Sequence, residues 1–157
     1  GLAALRGETA LLPDARAQYV AALQRPQPRV ALGLALRGLA SAMLDVSDGL
    51  LGDLRHILEC SAAGAVVDVT ALPLATLHTS GAEHARCRRC LLAGGDDYEL
   101  LFSVPPAQRA RIEALSQQLD LPLHRIGRLT ADCGQLLLRE ADGTLATPVA
   151  WGYDHFG

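Results

Sequence analysis

The chain has 157 residues, half of them hydrophobic and a fifth charged, a composition that can bury a core and that excludes the disordered and fibrous classes. A formal net charge of −3, with no basic run longer than Arg88-Arg89, argues against nucleic acid or an anionic membrane surface as partner and leaves a small solute as the default. No apolar stretch reaches the roughly 20 residues that cross a bilayer and no signal-peptide pattern opens the chain, so the expected compartment is the cytoplasm.

In chain order, residues 14–24 carry apolar side chains at helical spacing behind Asp14 as a cap, and Pro26 and Pro28 end whatever precedes them. Residues 30–40 are apolar around most of a helical wheel, and AMLDV at 42–46 reads as a short buried strand. The stretch 49–62 is expected to be a surface helix, with Leu50, Leu54, Ile57 and Leu58 facing a core, Asp53, Arg55 and Glu59 in solvent, and Gly64 terminating it. A strand at 65–72 is closed by Pro73, and a helix at 82–92 stops at Gly94-Gly95. YELLFSV at 98–104 alternates like a half-buried strand. A further amphipathic helix covers 106–119, with Pro106 in its first turn. Strands at 123–129 and 135–140 and a turn at 141–144 follow. With no repeat or long linker, residues 1–157 read as a single α/β (α+β) domain, a mixed sheet flanked by helices whose strand pairing the pattern does not reveal.

Of the four cysteines, only Cys87 and Cys90 have the spacing of a metal half-site or redox pair, and without two further ligands they read as ordinary reduced thiols. The histidines are scattered, no two forming a tight helical ligand pair, and Trp151 reads as a packing residue.

The carboxylates gather at two junctions, Asp45 and Asp48 in DVSDGL and Asp96, Asp97 and Glu99 in GGDDYEL. Asp45 is expected at the C-terminal end of a strand and Asp48 with Gly49 at the start of a helix, where ligands of α/β sheets usually bind. Ser47 and the amides after Asp48 suit a phosphate, which the carboxylates would repel unless a divalent cation lay between. Mg²⁺, which takes one or two carboxylates together with phosphate oxygens, fits that place. Helix capping by Ser47 or Asp48 and a solvated glycine turn at 94–99 explain the same residues without a ligand.

RPQPRVALGLALRG at 25–38, DVSDGL at 45–50, GGDDYELLFSVP at 94–105 and GYDHF at 152–156 resemble the C-terminal domain of the thiamine-monophosphate kinase family, a branch of the AIR synthase-related ATP-binding superfamily. The resemblance implies direct transfer of the γ-phosphate of ATP to thiamine monophosphate, giving thiamine diphosphate, with Mg²⁺ and no phosphoenzyme. It also implies Asp45 and Asp48 as Mg²⁺ ligands, Ser47 as an ATP contact, Asp96 as a contact of the thiamine phosphate and Tyr153 as a wall for the thiamine rings. At 96 the family pattern has Glu, one methylene longer, and at 153 it has Trp, with more stacking area. The family further implies an N-terminal domain with additional metal and ATP ligands, and a homodimer. Since the sequence opens on Gly1 without Met, it is expected to be a part of such an enzyme, inactive alone. A non-catalytic thiamine phosphate or nucleotide-binding module and another enzyme of the superfamily are the competing readings.

Overall fold

The computed structural model describes residues 1–8, 13–73 and 81–149, without the side chains of residues 81–83. Short α1 (Leu2–Leu5) is followed by α2 (Pro13–Gln24), α3 (Val30–Ala35), β1 (Ala42–Asp45), α4 (Leu50–Ser61) and β2 (Gly64–Asp68). Then come α5 (Gly81–Ala93), β3 (Leu100–Ser103), α6 (Arg109–Gln118), β4 (Gly127–Thr130), β5 (Leu136–Arg139) and the two-residue β6 (Leu145–Ala146). Single 3₁₀ turns lie at Val69–Ala71 and Pro106–Gln108. None of the described helices is long and apolar enough to cross a membrane.

The strands form two sheets: an antiparallel pair β1-β3, and a four-stranded sheet ordered β4-β2-β5-β6 in which β2 and β5 run parallel and the other neighbours antiparallel. This is the mixed α/β architecture expected, split into two sheets. Helix α4 joins them. Its Leu51, Leu54, Ile57 and Leu58 meet Ala65 and Val67 of β2, Leu136 and Leu138 of β5 and Leu101 of β3 in one core. The β-branched run of β2 suits a strand covered on both faces, and its first four residues are buried.

Three local expectations need correction. The strand at 42–46 is not buried but alternates, with Ala42 and Leu44 on the core and Met43 and Asp45 exposed, because β3 is its only partner among the described residues. Gly64 does not end α4: Ala62 does so in the left-handed conformation (φ 48°). Gly64 instead opens β2, where a Cβ would stand 2.2 Å from the Asp132 carbonyl oxygen. Asp14 lies inside the first turn of α2, which begins at Pro13.

Leu51 is 1% exposed at the centre of the core. Leu51→Ala is expected to lower the free energy of unfolding by about 2–5 kcal/mol, the usual cost of truncating a buried leucine. A urea unfolding curve with an unshifted midpoint would show that this site repacks without loss.

Candidate functional site

Asp45 is the last residue of β1, and buried Val46 anchors the chain behind it before Ser47-Asp48-Gly49 turns into α4. On the facing side α5 ends at Ala93, and residues 94–99 lead into β3. The two connections continue the β1-β3 ladder beyond its last pair, Asp45 with Leu100. Val46 N–H donates to the Glu99 carbonyl, Tyr98 N–H to the Val46 carbonyl and Asp96 N–H to the Ser47 carbonyl, each at 2.8 Å. The two acidic clusters, far apart in the chain, thereby form one ridge.

The irregular path of the second strand has a local cause. Asp96 (φ 66°) and Tyr98 (φ 52°) are left-handed, which costs a non-glycine residue about 1–2 kcal/mol, and the ladder bonds on their own amides hold them there. Two glycines permit the close approach. A Cβ on Gly95 would lie 2.3 Å from the Ser47 carbonyl oxygen, and one on Gly49, itself at φ 116°, would lie 2.8 Å from the Ala93 carbonyl carbon.

Of the residues that sequence reasoning assigned to the site, Asp45 and Asp96 are exposed and Ser47 and Asp48 half-buried, all on this ridge. Tyr153 lies outside the described residues, as do Trp151, His78 and His155. Glu99 is committed elsewhere: Arg29, at the start of α3, grips it through Nε to Oε2 at 2.8 Å and Nη2 to Oε1 at 2.6 Å. That bidentate pair ties α3 to the ridge. Crowding by surrounding protein raises Asp97 from the ordinary aspartate value, and Glu99 and Asp96 add to the rise. The negative potential of the ridge favours a bound cation.

Asp53 overturns a prediction. Instead of facing solvent it is 4% exposed, and its Oδ2 accepts the backbone N–H groups of Ser47, Asp48 and Gly49 at 3.0, 3.1 and 3.1 Å. The N-cap is Gly49, which makes no side-chain cap bond, so neither Ser47 nor Asp48 caps α4; Asp53 reaches back from its first turn to the amides of the turn before the helix. Of the amides after Asp48 that the sequence offered to a phosphate, that of Gly49 is thus already engaged, and Ser47 has its hydroxyl to offer a ligand. The signal for Asp53 and Arg29 was weak: an acid in a first turn, and an arginine whose partner stands 70 positions away.

Among the described residues no group of three or more His, Cys, Asp or Glu side chains is placed to hold a metal. Asp45 and Asp48 therefore fit a cation only as a partial shell of hard oxygen donors, the set Mg²⁺ accepts when phosphate oxygens and water supply the rest. Hollows of about 170 Å³ beside Asp68 and Arg139 and about 320 Å³ beside Val69 and Glu140 include no residue of the ridge.

Residues 4–137 match the family described as AIR synthase related protein, C-terminal domain. The thiamine-monophosphate kinase of Salmonella typhimurium is 40% identical over 157 residues, covering 99% of this chain and 48% of that protein. That of Escherichia coli is 39% identical over 158 residues, with the same coverages. The chain thus spans about half the length of the curated relatives it matches. Among solved structures, thiamine-monophosphate kinase from Stenotrophomonas maltophilia aligns with a TM-score of 0.73 at 45% identity, over 88% of this chain and 42% of that one. The fold is shared at 23% identity by AaThiL complexed with AMPPCP and TMP, with a TM-score of 0.68 over 98% of this chain and 46% of that one.

Proposed function

The chain belongs to the AIR synthase related proteins, as their C-terminal domain, and from that premise we propose that it is the C-terminal part of a kinase that phosphorylates thiamine monophosphate with ATP, giving thiamine diphosphate. The observation that carries this reading is the ladder joining Ser47 to Asp96 and Val46 to Glu99, which gathers carboxylates and a serine hydroxyl on one ridge. The likeness to thiamine-monophosphate kinases at about 40% identity supports it.

Phosphoryl transfer between two phosphates asks the protein for alignment and charge neutralisation and needs no covalent intermediate. Asp45 and Asp48 would hold Mg²⁺, which when bound neutralises charge on the two phosphates. The Ser47 hydroxyl contacts ATP. Asp96, fixed in a left-handed conformation by its bond to Ser47, contacts the acceptor phosphate, directly or through water, and Tyr153 stacks on the thiamine rings. The enzyme works in the cytoplasm as a homodimer, with its N-terminal domain supplying the remaining metal and ATP ligands.

The full-length gene product is expected to form thiamine diphosphate from thiamine monophosphate, ATP and Mg²⁺, detected by chromatography; no product at any Mg²⁺ concentration would refute the proposal. The 157-residue chain alone, with half of a relative's length, is expected to show no turnover in the same assay. Steady turnover by it would mean that the ridge suffices for catalysis.

A further inference from the structure

Among the described residues Asp53 is the one buried charged side chain. A carboxylate that leaves water pays a large desolvation penalty unless donors meet it, and here three successive backbone N–H groups do, all on one oxygen. Successive amides pointing into one concavity at the start of a helix make the nest in which phosphate-binding loops hold their ligand. In this chain the nest is filled from within.

We infer that Asp53 is a positioning residue, which closes the amide nest of residues 47–49 against phosphate and holds Asp45 and Asp48 in the arrangement that receives a divalent cation. The geometry gives two reasons. The bonds to Ser47, Asp48 and Gly49 fix the backbone that carries Asp48 and leads away from Asp45, so both carboxylates are oriented before a cation arrives. With those donors satisfied by an internal anion, the amides of residues 47–49 are closed to a phosphate, which the cation would receive instead. The inference rests on the reading of Asp45 and Asp48 as cation ligands. Asp53 is assigned no contact with metal or substrate.

The test uses the intact protein as wild type, Asp53→Ala and Asp53→Asn, with Mn²⁺ as probe and no nucleotide, free ion being followed by electron paramagnetic resonance. Thermal melting is recorded in sodium formate and in sodium chloride at equal ionic strength. Loss of an outer-shell carboxylate is expected to weaken Mn²⁺ binding about tenfold in Asp53→Ala, and less in Asp53→Asn, which keeps one acceptor oxygen. Formate, small enough to enter the vacated nest, is expected to raise the melting temperature and Mn²⁺ affinity of Asp53→Ala alone. Wild-type affinity in a folded Asp53→Ala protein would overturn the inference. So would an equal loss in both variants with no response to formate, which would make Asp53 a direct ligand. If Asp53→Ala does not fold, Asp53→Asn carries the test, and unchanged affinity in it is the overturning result. Absence of Mn²⁺ binding by the wild type would count against Asp45 and Asp48 as ligands, and formate-dependent melting of Asp53→Ala would still decide whether the nest takes an anion.

Discussion

Asp48→Asn and Asp45→Asn are each expected to lower the kcat of the full-length enzyme by about a thousandfold, roughly 4 kcal/mol of transition-state stabilisation. The substitution keeps shape and removes the charge that would hold Mg²⁺ where two polyanions meet. Asp45 stands exposed at the end of β1, so its replacement is expected to leave unfolding within about 0.5 kcal/mol of wild type, as for surface changes generally. That separation of activity from stability is the diagnostic feature. With both carboxylates proposed to serve one cation, the double variant is expected to be little worse than either single one. Steady-state kinetics across a Mg²⁺ titration decide the matter. Retention of kcat within a few-fold at saturating Mg²⁺ would remove both aspartates from the metal site.

Gly95→Ala is expected to be nearly as damaging to activity, by a different route. The added Cβ would stand 2.3 Å from the carbonyl oxygen of Ser47, the atom that accepts the Asp96 N–H. Backbone faces backbone there, so the two connections must separate and that bond must break. Overpacking of this kind costs about 1–3 kcal/mol of stability. Displacing Asp96 from Asp48 by even an ångström is expected to cost about a hundredfold in kcat/KM. Gly143→Ala is the control, since that turn glycine has φ 85° and nothing within 4 Å of the added Cβ. It carries backbone strain of about 1–2 kcal/mol and is expected to leave kcat/KM unchanged. Wild-type kinetics in Gly95→Ala would show that the ladder does not set the geometry of the site.

The elements were legible because their signals are local. Apolar spacing marked α2, α4 and α6, and the β-branched run marked β2. Both acidic junctions stood out as clusters flanked by glycine, and the motifs at 45–50 and 94–105 carried the family resemblance that the comparisons bear out. What a helical wheel mishandled was Asp53. It sorts residues by angle and hydropathy, and it placed an aspartate in water, whereas three amides of the preceding turn satisfy that carboxylate inside the protein. Leu51, absent from the expected core face, is among the least exposed residues of α4 for a related reason: sheets, strand β3 and α5 surround this helix on more than one side.

The parts were readable from the residues alone: helices and strands set by side-chain period, glycines at the two turns, and carboxylates clustered at both junctions. Tertiary structure decided their meeting. Hydrogen bonds between main-chain groups carry no side-chain signature, so nothing in residues 45–49 announces that residues 96–99 will lie across from them. The same holds for Glu99, which reads as one more acid of a cluster until the folded chain brings Arg29 against it, and for Asp53, whose burial depends on amides that converge only when the turn before α4 has formed.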